Sequence, residues 1–245
     1  MDGLSYYRDG QLQLAITALG DELRKQPLDV KRRTFLFELL CFAGEYDRAS
    51  KQLDILSDAN KEAAAGAMLY RAALHAERTR QDMFANNTLP LGNTHPAPAG
   101  TLNGEDFTTL EDADPRIGAH LEAFIAGSYT WIPLAYVESV EMQAPKKLRD
   151  LLWIPAILHT TDDFRLQDLG EVLVPALAPL SWKHPDDAVR LGRATAWEDD
   201  ETYGAVPYGQ KLWIRGEEEV PFLELRNLTF HHADRPQETA ESATS

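Results

Sequence analysis

From Met1 to Ala85, apolar side chains recur at helical spacing. Between Leu12 and Leu23 they fall at Leu12, Ala15, Ile16, Leu19 and Leu23, which is one stripe of a helix. Phe35 to Phe42 reads the same way. Gly10, Gly44 and Pro27-Leu28-Asp29 sit at the breaks between these runs. Residues 60–84 carry Ala63-Ala64-Ala65, Met68, Leu69, Ala72, Ala73 and Ala76, and predict one further helix.

The breaks repeat. Gly10, Leu12, Ala15 and Leu19 correspond to Gly44, Tyr46, Ala49 and Leu53, every pair separated by the same interval of thirty-four positions. That interval is the tetratricopeptide period, in which two antiparallel helices pack where small residues let their backbones approach. Gly10, Gly44, Ala15 and Ala49 are therefore read as structural positions, with Pro27 where such a repeat closes. An unrelated pair of helical hairpins gives the same spacing by chance. The third period fails at Gln81-Asp82-Met83-Phe84, so the helix over 60–84 is expected to cap the stack.

Residues 86–106 lose all periodicity. Pro90, Pro96, Pro98, Gly92, Gly100 and Gly104 mark a Pro/Gly-rich linker. Beyond it, Tyr136–Met142, Leu151–Leu158, Gly170–Leu177, Gln210–Ile214 and Val220–Phe230 read as strands. Ala119–Ala126 and Pro145–Asp150 read as helical. The fold class expected is two-domain α+β. A tetratricopeptide-like helical domain spans 1–85, a linker 86–106, a mixed α+β domain with short strands 107–230, and a disordered tail 231–245.

Charge sharpens this division. The chain carries 24 Lys+Arg against 39 Asp+Glu, a net −15. Residues 1–85 hold 12 basic and 13 acidic side chains, leaving 12 and 26 for the rest, so the second part alone carries −14. A nucleic-acid binder needs surplus cations, and an anionic membrane surface repels such a chain. A basic partner segment is favoured instead. Cys41 is the single cysteine and suits a reducing compartment. With no basic-then-apolar leader and no run of about 18 apolar residues, a soluble cytoplasmic protein without membrane insertion is expected.

Few residues stand in patterns suited to chemistry. Trp131, Trp153, Trp182, Trp197 and Trp213 all lie in the second part. Two head identical tripeptides, Trp131-Ile132-Pro133 and Trp153-Ile154-Pro155; the prolines predict strand ends, edges or bulges. These tryptophans either receive a partner or build the core. Asp112-Ala113-Asp114-Pro115-Arg116 and Leu148-Arg149-Asp150 set charge beside apolar runs. Carboxylates at i, i+2 suit a divalent cation, whereas Asp–Arg pairs suit locking a loop to a sheet; the second reading is preferred. His75, His95, His120, His159, His184, His231 and His232 show no helical zinc spacing, so no metal and no cofactor is expected. Nucleophile-elbow and phosphate-loop glycine patterns are absent.

Longer motifs carry a resemblance. Asp112-x-Asp114-x-Arg116-Ile117-Gly118-x-x-Leu121-Glu122, then Tyr129-x-Trp131-Ile132-Pro133, then Pro145-x-x-Leu148-Arg149-Asp150-Leu151-Leu152-Trp153-x-Pro155-Ala156, strongly resemble the ImpE family, also called SciE-type or TagJ proteins. Leu191-Gly192-Arg193-x-Thr195-x-Trp197 and Leu225–Phe230 fit its later blocks. The family pattern places an acidic residue between that threonine and tryptophan; this chain has Ala196. The resemblance implies a non-enzymatic accessory protein of bacterial type VI secretion. It implies binding to an N-terminal helix of the small sheath subunit, TssB/VipA-like, and through it a link to a ClpV-type ATPase.

The resulting expectation is a module that captures an amphipathic helix with micromolar affinity. The repeat domain offers a generic concave surface, but the second part is favoured as the seat, because an acidic rim around aromatic residues suits a basic helix. Trp131, Pro133, Arg149, Asp150, Trp153 and Trp197 are the candidate contacts. Asp112, Asp114, Arg116 and Gly118 are expected to be structural. A metal-dependent hydrolase using Asp112, Asp114 and Asp150 is the alternative, and a general assembly chaperone is a third reading.

Overall fold

Gly10 and Gly44 stop their helices in the same manner. Each has positive φ (76° and 71°), a region that costs glycine little. Gly10 N–H donates to the Tyr7 carbonyl and Gln11 N–H to Tyr6; Gly44 N–H donates to Cys41 and Glu45 N–H to Leu40. Both are Schellman turns, which satisfy carbonyls that a helix end would otherwise orphan. The repeat interval seen in the sequence thus marks two equivalent helix ends.

The computed structural model describes residues 1–58, 61–90, 96–164 and 169–232. The helices are α1 (Gly3–Arg8), α2 (Leu12–Lys25), α3 (Val30–Phe42), α4 (Tyr46–Ser57) and α5 (Lys61–Ala85). Asp2 and Asp29 cap α1 and α3 by accepting from the Ser5 and Arg32 amides. Ala15, Ala49, Leu12, Leu19 and Leu53 are all buried, as a close-packed pair of helical hairpins requires. The expected helix over 60–84 is α5. It covers α4 and also packs against the sheet.

The strands are β1 (Gly100–Leu102), β2 (Glu105–Phe107), β3 (Leu110–Asp112), β4 (His120–Ile125), β5 (Ser128–Pro133), β6 (Val137–Met142), β7 (Trp153–Thr160), β8 (Gly170–Pro175), β9 (Thr195–Asp200), β10 (Gly204–Gly209), β11 (Leu212–Arg215), β12 (Glu218–Pro221) and β13 (Asn227–Phe230). A short helix, α6 (Asp187–Arg190), precedes β9. Eight strands form one antiparallel sheet in the order β2-β1-β13-β6-β7-β8-β4-β5. β12-β11-β3 and β10-β9 form two smaller sheets. The architecture is therefore a helical region followed by a β-rich part.

Several sequence expectations need correction. Ala119–Ala126 is no helix: five of the six residues of β4 are buried, from His120 to Phe124, so the strand lacks polar alternation. Pro145–Asp150 contributes only a 3-10 turn, Leu148–Leu151. Val220–Phe230 breaks into β12, a 3-10 turn and β13. The stretch 86–106 is not all linker, because β1 and β2 lie in it and extend the sheet. Residues 91–95, including Gly92 and His95, and residues 233–245 of the expected tail lie outside the described residues. The Trp-Ile-Pro expectation fits Pro133 outright, whereas Pro155 lies inside β7, paired with Leu173 of β8. Pro133 ends β5 on the sheet edge, and Pro155 precedes the point where β6 begins to pair with β7 at Ala156.

The helical core extends into the β-rich part, which also has a second core of its own between its strands. Residues of α2–α5 pack with Phe124, Leu152, Trp153 and Leu191. Gly44 touches the Trp182 ring so closely that a Cβ there would stand 2.5 Å from it. Arg193 donates to the Tyr7 carbonyl, and the Leu12 amide to Asp187.

Candidate functional site

Two features occupy the junction between helices and sheet: a buried charge network and, beside it, an open apolar trough. Glu122 on β4 is the hub of the network. One of its carboxylate oxygens accepts from Arg80 Nε (2.7 Å) and Tyr129 Oη (2.5 Å). The other accepts from Arg80 Nη2 (3.0 Å) and Lys211 Nζ (2.5 Å). Lys211 also pairs with Asp112 at 2.6 Å. All four charged groups are almost wholly buried. Burial alone would raise the Glu122 carboxyl, but Arg80 and Lys211 outweigh it and hold the group down at about 2. Asp112 goes the other way: burial pushes it up to about 6 although Lys211 opposes. Glu77 extends the network by accepting from Trp153 Nε1 at 3.0 Å, and Gln81 accepts from the Leu180 amide and Trp182 Nε1. These bonds of Arg80, Glu77 and Gln81 join α5 to the β-rich part.

Asp114 takes Arg116 by two parallel bonds, at 2.8 and 2.6 Å, and accepts the Arg116 amide. Gly118, at φ 56°, closes that loop by donating to the Asp114 carbonyl. The Asp–Arg pair lies within the loop between β3 and β4 and holds that loop in shape. Asp150 accepts from the Lys146 and Lys147 amides. The three carboxylates of the hydrolase reading are thus engaged separately, by Lys211, by Arg116 and by backbone amides. Among the described residues no three His, Cys, Asp or Glu side chains gather as metal ligands would.

The candidate partner residues scatter. Trp153 is 2% exposed, stacked near Tyr70 and packed on Phe37 and Phe124, so it is core. Trp131 is half-buried against Phe84 and His120, and donates to the Tyr129 hydroxyl. Pro133 follows at the end of the same strand. Trp197 is 40% exposed on β9, next to exposed Glu198 and Asp199. Trp182 and Trp213, left without a role in the sequence, are packed against Gly44 and Phe222 respectively.

Arg149 and Asp150 do reach a cavity. A trough of about 470 Å³ opens where α3, α4 and α5 meet the Leu148–Leu151 turn. Val30, Phe37, Leu53, Leu56, Leu69 and Tyr70 give it an apolar lining, and Leu69 is half-exposed there. Among the described residues its charged lining consists of Lys147 and Arg149. A second cavity of about 310 Å³ continues from it past Tyr70 and Lys147 to Asp150 and the ends of β6 and β7. Both volumes lie in the range of ligand sites. The Arg149 guanidinium lies 4.7 Å above the Tyr70 ring. Its Nε is buried without a hydrogen-bond partner, and Glu38 Oε1 stands 3.7 Å away. Burial pushes the Glu38 carboxyl up to about 7, against the pull of Arg149. Sequence reasoning missed Phe37, Leu69, Tyr70 and Glu38. Their helical periodicity marked core and surface but carried no sign of a cavity.

A family model described as "ImpE protein" matches residues 104–229, the stretch that supplies most of this β-rich part. The chain belongs to the ImpE family. It is 31% identical over 261 aligned residues to the type VI secretion system accessory component TagJ of Pseudomonas aeruginosa, covering 93% of this chain and 90% of that one. A crystal structure of a protein from Vibrio parahaemolyticus shares the fold, with a TM-score of 0.81 at 24% identity, covering 94% of this chain and 98% of the other. The ImpE match takes in Glu122, Arg149 and Lys211, whereas Arg80, Phe37 and Leu69 come from the helices ahead of it. The network and the trough are therefore built jointly by the ImpE segment and the helical region. No helix of the described residues is long and apolar enough to cross a membrane.

Proposed function

We propose that this chain is a non-enzymatic accessory adaptor of type VI secretion. In this reading it captures a helical segment of the small sheath subunit, TssB/VipA-like, and so connects the sheath to a ClpV-type ATPase. Membership of the ImpE family and the name of the Pseudomonas relative support the accessory role. The observation that carries the binding reading is the apolar trough, whose lining offers side chains from three helices to a ligand. The helical region is read as tetratricopeptide-like, on the equivalent Schellman turns at Gly10 and Gly44.

The test is co-purification of the full chain with the small sheath subunit of the same bacterium. Leu69→Asp changes a half-exposed side chain and is expected to abolish capture while leaving the melting temperature nearly unchanged. Undiminished capture by that variant would sink the trough as the seat. A second seat is the β9 surface, where Trp197 stands exposed beside Glu198 and Asp199 and would suit a basic segment. Trp197→Ala in the same assay separates the two, since the trough reading expects full capture by it.

A further inference from the structure

We propose that the trough selects a helix bearing an acidic residue on its apolar face, with Arg149 as the residue that reads that carboxylate. This deepens the adaptor reading and rests on it. In a chain of net charge −15, the two charged side chains that line the trough among the described residues are both cations, Lys147 and Arg149. The ligand chemistry is thus opposite to that expected from the overall charge.

The lining also dictates the ligand's form. The trough runs between helices, whose backbone groups are already paired within α3, α4 and α5, and it is walled by side chains. An extended peptide laid there would leave its own amides and carbonyls unsatisfied. A helix brings its backbone bonds with it and needs only apolar anchors at i, i+3, i+4 and i+7.

Arg149 is poised for the charged contact. Tyr70 holds its guanidinium plane from one side at 4.7 Å, and Nε lacks a hydrogen-bond partner. Glu38 stands 3.7 Å away, beyond hydrogen-bond reach, so it offsets charge without occupying the donors. Asp150 accepts from the Lys146 and Lys147 amides, while Glu141 and Glu171 line the adjoining cavity and not the trough itself. Nε is buried facing Glu38, so a ligand carboxylate in the trough would meet the guanidinium at its Nη nitrogens, which a planar fork can offer at two points.

The experiment uses the full chain and overlapping helical peptides that span the small sheath subunit, each made in an acid form and in a Gln/Asn form. The tightest acid-form peptide is expected to bind wild type at least about tenfold better than its amide form. In Arg149→Gln the two forms should bind alike. Arg149→Lys should restore only part of the preference, because an ammonium lacks the fork. The Glu38→Gln/Arg149→Gln pair removes both buried charges and keeps the test readable if Arg149→Gln alone folds poorly. Equal binding of the two forms to wild type would overturn the charge inference alone, as would a preference that survives the loss of Arg149. Failure of every peptide to bind the wild-type chain would overturn the adaptor reading, and the inference with it.

Discussion

At the scale of single residues, the decisive groups are carboxylates in unlike surroundings. Glu122 is held at about 2, below the ordinary 4.5, so the stability it contributes is complete above about pH 4.5 and is lost as pH falls toward 2. Removing its charge leaves Arg80 and Lys211 buried with fewer partners. Glu122→Gln is therefore expected to cost about 3–5 kcal/mol in urea unfolding. Glu38 has the opposite sign. Its carboxyl rises from 4.5 to about 7, so the folded form holds its proton longer than the unfolded chain, and stability falls as pH climbs through that window. Glu38→Gln should match wild type near pH 4 and gain on the order of 3 kcal/mol by pH 8. A gap between the two proteins that does not change with pH would refute the assignment. The sequence displayed Asp114 and Arg116 as a pair because they are near neighbours in the chain. Arg80 and Glu122 are 42 residues apart, and nothing local to either announces the other.

At the scale of elements, what was legible depended on whether one local rule governed the segment. The repeat at Gly10 and Gly44 could be read because a Schellman turn needs positive φ and small residues nearby. Gly44 does more than turn the chain, since Trp182 fills the space where a side chain would go. Gly44→Ala is expected to cost at least about 1–3 kcal/mol by thermal denaturation, from backbone strain together with the ring contact. Gly104→Ala has positive φ too but nothing within 4 Å, and should cost less. Strand β4 was misread because tertiary burial on both faces erased its alternation. Strands β1 and β2 are three residues each, too short for a period to show, and they lie among the prolines and glycines of a nominal linker. The trough was illegible for a different reason. It forms where three helices meet the Leu148–Leu151 turn, which lies far beyond them in the chain, and no window of sequence contains it.

At the scale of the whole molecule, the helical region and the β-rich part are bound by a common core and by the bonds of Arg80, Glu77 and Gln81. Residues 1–85 expressed alone would expose Phe37 and Tyr70, which Trp153 covers, and leave Arg80 without Glu122. That fragment is expected to show no cooperative melt, while the full chain unfolds in a single transition followed by circular dichroism. The place of β13 has a consequence of another kind. It lies between β1 and β6, so a strand made after both joins the two pieces of sheet that they belong to. Until Asn227–Phe230 is available, the β1–β2 ribbon has no neighbour to pair with. Arg80, on a helix made earlier, must likewise wait for Glu122, and Glu122 and Asp112 for Lys211, before these buried charges are matched. Closure of the sheet thus waits on β13, and until that strand is made the nascent polypeptide carries unpaired strand edges of the type that chaperones bind.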